Sequence, residues 1–173
     1  MKPLSAIMPS MIKYTECHTT FAEIPTEINL CFSISNCSGL CRDCHSPELR
    51  SDIGERLLTN ICQEIDKHPG ITCVCFLGES LKSKEAKYEW QKIVKAVRSY
   101  RPSIKLAIYS GRTEVEDWMW NAFDYVKIGP YLPEKGPLDN PHTNQRLYKI
   151  DEYGNKTDIT YLFWRKHENK NNC

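Results

Sequence analysis

The stretch Ile71-Thr-Cys-Val-Cys-Phe-Leu77 is an almost continuous apolar run, and Gly78 and Glu79 follow it directly. Seven residues are too few for a typical helix, and continuous apolar character is typical of a strand that is covered on both faces of a sheet. The sequence therefore predicts a buried strand over 71–77, with Gly78 and Glu79 at its carboxyl end.

The sequence on both sides of this run alternates between strand-like and helix-like patterns. Short apolar runs predict strands, and apolar residues at helical spacing predict amphipathic helices. The predicted order is a strand over 28–34, a helix over 56–67, the strand over 71–77, a helix over 83–100, a strand over 104–109, a helix over 113–123 with Thr113 as its N-cap, and a strand over 125–128. Such alternation is typical of parallel strands joined by right-handed crossovers.

Chain length narrows the architecture further. The chain has 173 residues, whereas a closed eight-fold barrel of strands and helices takes roughly 250. We therefore predict an α/β fold in the form of a partial, open βα barrel with mostly parallel strands. One domain over 1–173 is expected at this length, with its core at about 28–150.

The pattern changes after the last of these strands. Residues 130–146 are rich in proline, glycine and asparagine, which predicts a long loop, and long loops in compact domains are usually functional. Two segments, 146–150 and 159–164, then predict a C-terminal hairpin. A polar tail occupies 165–173.

Composition restricts the partners and the compartment. Lys and Arg number 23 and Asp and Glu number 22, which gives a net charge of +1. Such a balance provides no strong global field for nucleic acids or anionic membranes, and we expect neither as a partner. Mean hydropathy is −0.53, no apolar stretch is long enough for a membrane span, and the N-terminal residues lack a secretory h-region. We expect a cytoplasmic protein.

Three of the nine cysteines lie within eight residues, in the segment Cys37-Ser-Gly-Leu-Cys41-Arg-Asp-Cys44. Clustered thiols in a chain without a secretory signal indicate a metal site rather than disulfides. The segment follows the first predicted strand of the parallel series, and active sites of α/β folds lie at the carboxyl ends of strands. Three other cysteines lie among apolar residues and are predicted to be buried, namely Cys62, Cys73 and Cys75.

Three thiolates leave a metal centre one ligand short, and two interpretations remain open. A structural zinc site needs four ligands, so Cys31 or His45 would have to supply the fourth. A four-iron, four-sulfur (4Fe–4S) cluster held by three thiolates instead keeps one iron free for a substrate.

The C-x3-C-x2-C spacing of Cys37, Cys41 and Cys44 after a strand resembles the motif of the radical S-adenosylmethionine (SAM) superfamily. The resemblance implies a 4Fe–4S cluster whose open iron binds the amino and carboxylate groups of SAM. It also implies that an electron from the reduced cluster cleaves SAM to methionine and a 5′-deoxyadenosyl radical.

Further segments strengthen the resemblance. Gly78-Glu79 is similar to the Gly-Gly-Glu segment that holds the SAM amino group, and Ser110-Gly111 resembles a Ser/Thr-Gly turn of activating enzymes. The stretch Asp124–Tyr131 followed by Thr143-Asn-Gln-Arg146 resembles the C-terminal motif of anaerobic ribonucleoside-triphosphate reductase activating proteins. The cofactor-binding residues that the resemblance implies are Asp43, His45, Gly78, Glu79, Ser110, Gly111 and Lys127.

Three departures from the family pattern are visible. Asp43 stands where the superfamily often has an aromatic residue that packs on SAM, and only one glycine, Gly78, precedes Glu79. Asn36 precedes Cys37 in place of the usual glycine. Lys127 lies in a predicted buried strand, where its side chain either reaches to the surface or provides a cation in a pocket.

The resemblance implies a partner as well as a cofactor. The protein substrate would be an anaerobic ribonucleoside-triphosphate reductase, on which a glycyl radical is formed, and the electron donor would be a flavodoxin or a ferredoxin. Two alternatives remain: a radical SAM enzyme acting on another glycyl-radical enzyme or a small molecule, and a non-catalytic zinc-binding interaction module.

Overall fold

The computed structural model describes residues 11–39 and 41–164, and within them the predicted α/β class is confirmed. The strands are β1 (Lys13–Thr20), β2 (Asn29–Ile34), β3 (Glu55–Arg56), β4 (Cys73–Leu77), β5 (Lys105–Tyr109), β6 (Tyr125–Ile128), β7 (Arg146–Ile150) and β8 (Lys156–Asp158). The helices are α1 (Leu57–Lys67), α2 (Lys84–Tyr100) and α3 (Asp117–Ala122), with 3-10 turns at Pro47–Arg50 and Thr160–Phe163.

The strands of the described residues form one mixed sheet in the order β3-β1-β2-β4-β5-β6-β7-β8. Only the four central strands, β2, β4, β5 and β6, are parallel to one another, and every outer pairing is antiparallel. The prediction of mostly parallel strands is therefore right for the centre of the sheet and wrong for its edges. The sheet is open, with β3 and β8 at its two ends.

The parallel strands are buried on both faces, as their continuous apolar runs predict. One face carries Val74 and Phe76 of β4 and packs against all three helices, with Trp90 of α2 fully buried there. The other face carries Cys73 and Cys75, both fully buried, which confirms the prediction for them. The third cysteine of that prediction, Cys62 on α1, is only half-buried.

Strand β1 has no counterpart in the sequence-based prediction. Its residues are mostly polar, and half of them are exposed, so no apolar pattern marks it. It forms because its backbone pairs with β2 on one side and with β3 on the other. Backbone pairing satisfies polar groups without any apolar pattern in the sequence, provided that a neighbouring strand is in place.

Strand β4 begins at Cys73 rather than at Ile71. The prediction is also wrong for the start of α3 and for the second hairpin strand, and both of these errors have a local cause. Helix α3 begins at Asp117 rather than at Thr113, because the carbonyl oxygen of Arg112 accepts a hydrogen bond from the Gly129 N–H at 2.6 Å and holds this segment out of the helix. The second strand of the C-terminal hairpin is β8, not 159–164. There the Thr160 hydroxyl accepts the Leu147 N–H at 2.9 Å, and the chain turns into a 3-10 helix.

The remaining predictions for the C-terminal part have different outcomes. The long loop predicted over 130–146 is confirmed and ends where β7 begins at Arg146. The polar tail predicted over 165–173 lies outside the described residues. No helix among the described residues combines the length and the apolar character that crossing a membrane requires.

Among the residues that the structure describes, Trp90 is the largest fully buried side chain, and its indole donates a hydrogen bond to the carbonyl oxygen of Glu79 at 2.6 Å. Replacing Trp90 by Ala removes this bond and leaves a cavity, so we expect the free energy of unfolding to fall by about 3–5 kcal/mol. Tyr88 on the same helix is 64% exposed, and Tyr88→Ala should change the free energy of unfolding by about 0.5 kcal/mol or less. Urea titration followed by circular dichroism measures both, and similar losses in the two variants would contradict the packing described.

Candidate metal and cofactor site

A cavity of about 400 Å³ lies at the carboxyl ends of the parallel strands, within the range of small-molecule sites. Each of the four parallel strands contributes to the cavity wall one residue at or next to its carboxyl end: Ile34 of β2, Leu77 of β4, Tyr109 of β5 and Lys127 of β6. The cavity therefore occupies the edge of the sheet where α/β folds place their ligands.

All three clustered cysteines line this cavity and are half-buried. The loop that carries them is tied to the following 3-10 turn by two hydrogen bonds. The Cys37 N–H donates to the Leu49 carbonyl oxygen at 2.8 Å, and the Arg50 guanidinium donates to the Cys41 carbonyl oxygen at 2.6 Å. These bonds hold the loop over the ends of the strands.

Two glycines leave space beside the sulfur atoms. A Cβ atom on Gly39 would lie 3.4 Å from the Cys37 Sγ, and one on Gly111 would lie 3.1 Å from the Cys41 Sγ. The Gly39 N–H also donates to the Cys37 Sγ at 3.3 Å, a type of hydrogen bond that stabilises thiolates. A side chain at either position would fill the space beside the thiols, so the donor set and its surroundings fit a sulfur-ligated metal group.

Glu79 does not line the cavity, although the sequence resemblance implied that it contacts SAM. Its carboxylate is buried, with 1% of the residue exposed, and it accepts hydrogen bonds from the hydroxyls of Ser38 (3.0 Å) and Ser110. The Arg112 guanidinium pairs with it through Nε at 2.5 Å. Because a buried carboxylate is stable only when it is paired and hydrogen-bonded, this cluster joins the cysteine loop to the loops after β4 and β5.

Gly78 does line the cavity, and its backbone requires glycine. Its φ is +116°, and a Cβ atom there would lie 3.2 Å from the Ile34 carbonyl oxygen. Within 11–39 and 41–164, three residues other than glycine also have positive φ, and all three lie in the loops around the site: Asn36, Asp43 and Ser80. Strained backbone of this kind concentrates at functional sites.

Lys127 lies in the cavity wall and is 7% exposed, so its side chain does not reach the surface. Its ammonium donates to the Gly129 carbonyl oxygen at 2.7 Å and lies 5.7 Å from the centroid of the Tyr109 ring. Burial lowers the pKa of Lys127 to about 8, an effect that the neighbouring Cys41 partly opposes. Burial also raises the pKa of Tyr109 well above its ordinary value, which keeps that phenol neutral.

The other predicted site residues divide into two groups. Ser110 and Gly111 line the cavity, as does His45, whose ring centroid lies 5.1 Å from that of Tyr131. Asp43 is exposed and is not among the lining residues. Cys31, considered as a fourth zinc ligand, is fully buried in the apolar cluster on the other face of the sheet.

The loop between β6 and β7 is ordered by its own polar side chains. The Asn144 amide donates to the Pro130 carbonyl oxygen at 2.9 Å, and the Arg146 guanidinium donates to the carbonyl oxygens of Thr143 (2.7 Å) and Gln145. These hydrogen bonds order the loop.

Sequence reasoning gave no role to Ser38 or Arg112, the two partners of Glu79 from neighbouring loops. Ser38 lies within the cysteine segment, and Arg112 directly follows Ser110-Gly111. A buried carboxylate predicted at a strand end requires donors nearby, and that requirement is the signal that points to them.

Comparison with known proteins identifies no relative of this chain: no protein-family model, no curated protein and no solved structure matches it.

Glu79 provides a test of how the cysteine loop is held. Glu79→Gln keeps the shape but removes the charge that pairs with Arg112, so we expect iron incorporated on anaerobic reconstitution to fall by roughly 10-fold, as for other residues that support metal ligands. Glu48 is an exposed acidic residue of the same loop region, and Glu48→Gln should leave the incorporated iron unchanged. Full iron content in Glu79→Gln would show that Glu79 does not position the thiols.

Lys127 provides a test by pH. Because its pKa is about 8 in the folded protein and near 10.5 in the unfolded chain, the unfolded state binds more protons between these values. The stability of the metal-free wild type should therefore rise relative to Lys127→Met by about 3 kcal/mol from pH 8 to pH 10.5, and level off outside that window. Urea titrations across pH 7–11 measure this difference, and parallel profiles would contradict the burial of a charged amine.

Proposed function

We propose that this protein is a radical SAM activating enzyme with a partial, open βα barrel. In this proposal Cys37, Cys41 and Cys44 hold a 4Fe–4S cluster, and SAM binds beside it in the same cavity. The enzyme reductively cleaves SAM to a 5′-deoxyadenosyl radical, which generates a glycyl radical on an anaerobic ribonucleoside-triphosphate reductase.

One observation carries the proposal. Three thiols from a single loop line one cavity at the carboxyl ends of four parallel strands, together with wall residues from each strand. A structural zinc knot needs a fourth protein ligand. Cys31 is buried elsewhere, which leaves His45 as the alternative that the sequence analysis named.

The spacing of the thiols also supports a cluster over a single ion. The sulfur atoms of Cys37, Cys41 and Cys44 do not all lie within 4.8 Å of one another. Tetrahedral zinc with bonds of about 2.3 Å to sulfur places its thiolates about 3.8 Å apart. In a cluster of four irons each thiolate binds a different iron, so the sulfur atoms of the three cysteines can lie farther apart.

The remaining cavity residues have separate tasks in this proposal. Gly39 and Gly111 keep the space beside the sulfur atoms clear, and Gly78 lets the backbone border the cavity without a side chain. Lys127 supplies a buried positive charge near an anionic cluster and the SAM carboxylate. Glu79 positions the three loops rather than contacting SAM.

The proposed partner is supported by the resemblance of the C-terminal motif and by the access that the fold leaves for a protein substrate. The sheet is open within the described residues. A protein substrate must bring one glycine close to SAM, and an open sheet leaves a side for its approach. A flavodoxin or a ferredoxin would supply the electron. Another glycyl-radical enzyme or a small molecule as substrate would use the same cavity.

Reductive cleavage of SAM tests the chemistry directly. After anaerobic reconstitution with iron and sulfide, the reduced protein should convert SAM to methionine and 5′-deoxyadenosine. Cys41→Ser should lower this rate by about 100-fold or more, because it removes a cluster ligand. Cys62→Ser changes a half-buried cysteine on α1, outside the cavity, and should retain the rate.

Two results would contradict the proposal. A protein that remains colourless after reconstitution and binds a zinc that is lost in Cys41→Ser would hold that zinc through the cysteine loop and would be an interaction module. If the cluster forms but SAM is not cleaved, the catalytic part of the proposal is contradicted. If cleavage occurs, electron paramagnetic resonance after mixing with candidate reductases identifies the partner by its glycyl-radical doublet.

A further inference from the structure

A second group of metal-ligating side chains lies outside the cavity, between β1 and α1. Cys17 belongs to β1, Glu64 lies in the last turn of α1, and His68 is the residue that caps this helix. One ligand atom from each lies within 4.8 Å of the other two. Among the residues that the structure describes, this is the group of three that meets that condition. We propose that Cys17, Glu64 and His68 form a zinc-binding site.

A β-bulge directs Cys17 towards the helix. Tyr14 pairs with Ile34 and Cys17 with Phe32, so β1 has one more residue than β2 between these two pairs. Residues three positions apart on a regular strand face opposite sides of a sheet. Because of the extra residue, Tyr14 and Cys17 both pack against the helix-covered core. Bulges often redirect a side chain at a functional position.

The orientation of His68 suits a metal ligand. Its Nδ1 lies 2.8 Å from the Glu64 carbonyl oxygen. A carbonyl only accepts hydrogen bonds, so Nδ1 is the donor and Nε2 is the nitrogen that can bind a metal. Metal-binding histidines commonly donate their other N–H to a backbone carbonyl in this way. Glu64 and His68 are four positions apart, which places them on one side of the helix.

The three donors together favour zinc. A thiolate, an imidazole and a carboxylate are the ligands that zinc accepts in proteins, and hard cations such as magnesium do not use thiolates. All three residues are half-buried, so water can complete a four-coordinate site. Zinc binds the thiolate form of a cysteine, so binding releases the thiol proton to solvent.

Such a site would fasten β1 to the fold. Four of the eight residues of β1 are exposed and only Tyr14 is buried, so the strand contributes little apolar burial. A metal that joins Cys17 to α1 closes a long segment of chain and stabilises only the folded state. The site is separate from the proposed cluster and does not depend on the proposed function.

Cobalt is the probe, because Co²⁺ in a thiolate site gives a charge-transfer absorption band. A full-length chain with Cys37, Cys41 and Cys44 all replaced by Ser removes the competing thiols. Titrated anaerobically, this variant should bind one equivalent of Co²⁺ and show this band, and Zn²⁺ should displace the Co²⁺. Adding Cys17→Ser should abolish the band, and His68→Gln should weaken binding by about 100-fold. Cys62→Ser, on the same helix, is the matched control and should bind as before.

Absence of Co²⁺ binding in the folded serine background would overturn the proposal, as would an unchanged band after Cys17→Ser. If that background does not fold, the zinc content of the otherwise unmodified chain decides. One equivalent less in Cys17→Ser than in Cys62→Ser supports the site, and equal contents refute it.

Discussion

The carboxylate of Glu79 is buried at the point where three loops meet, and the candidate site depends on the hydrogen bonds that it accepts. Ser38 donates from the cysteine loop, while Ser110 and Arg112 approach from the loop after β5. Without these donors a buried charge would be strongly unfavourable, so the loops and the carboxylate stabilise one another. The carbonyl of the same residue is tied to Trp90 in the core, which connects the site to the packing of α2.

Parallel pairing of β2, β4, β5 and β6 explains why the chemistry collects in one place. Residues far apart in the chain end their strands at the same edge, and each strand is followed by a loop that turns over that edge. The buried faces fix the register of the strands. Small residues then decide how closely the loops approach: Gly39, Gly78 and Gly111 border the thiols and the cavity with backbone alone.

The part of the fold with strong local signals could be predicted. Strand β4 and helix α2 are marked by a continuous apolar run and by an amphipathic pattern, and both form within the predicted ranges. Strand β1 could not be predicted, because its residues are mostly polar and it becomes a strand only through backbone pairing with β2 and β3. The start of α3 also depended on a distant group, the Gly129 N–H that binds the Arg112 carbonyl.

For the candidate site, the sequence by itself determined the ligand types and their loop: three thiols at close spacing after a buried strand. Local spacing is sufficient for this, since the loop is short. Tertiary structure alone decided which residues face the cavity, placing Lys127 in its wall and Glu79 behind it. It also brought Cys17 to Glu64 and His68 through a bulge. These outcomes depend on the directions in which side chains from separate strands point, and sequence spacing contains no information about contacts between distant segments.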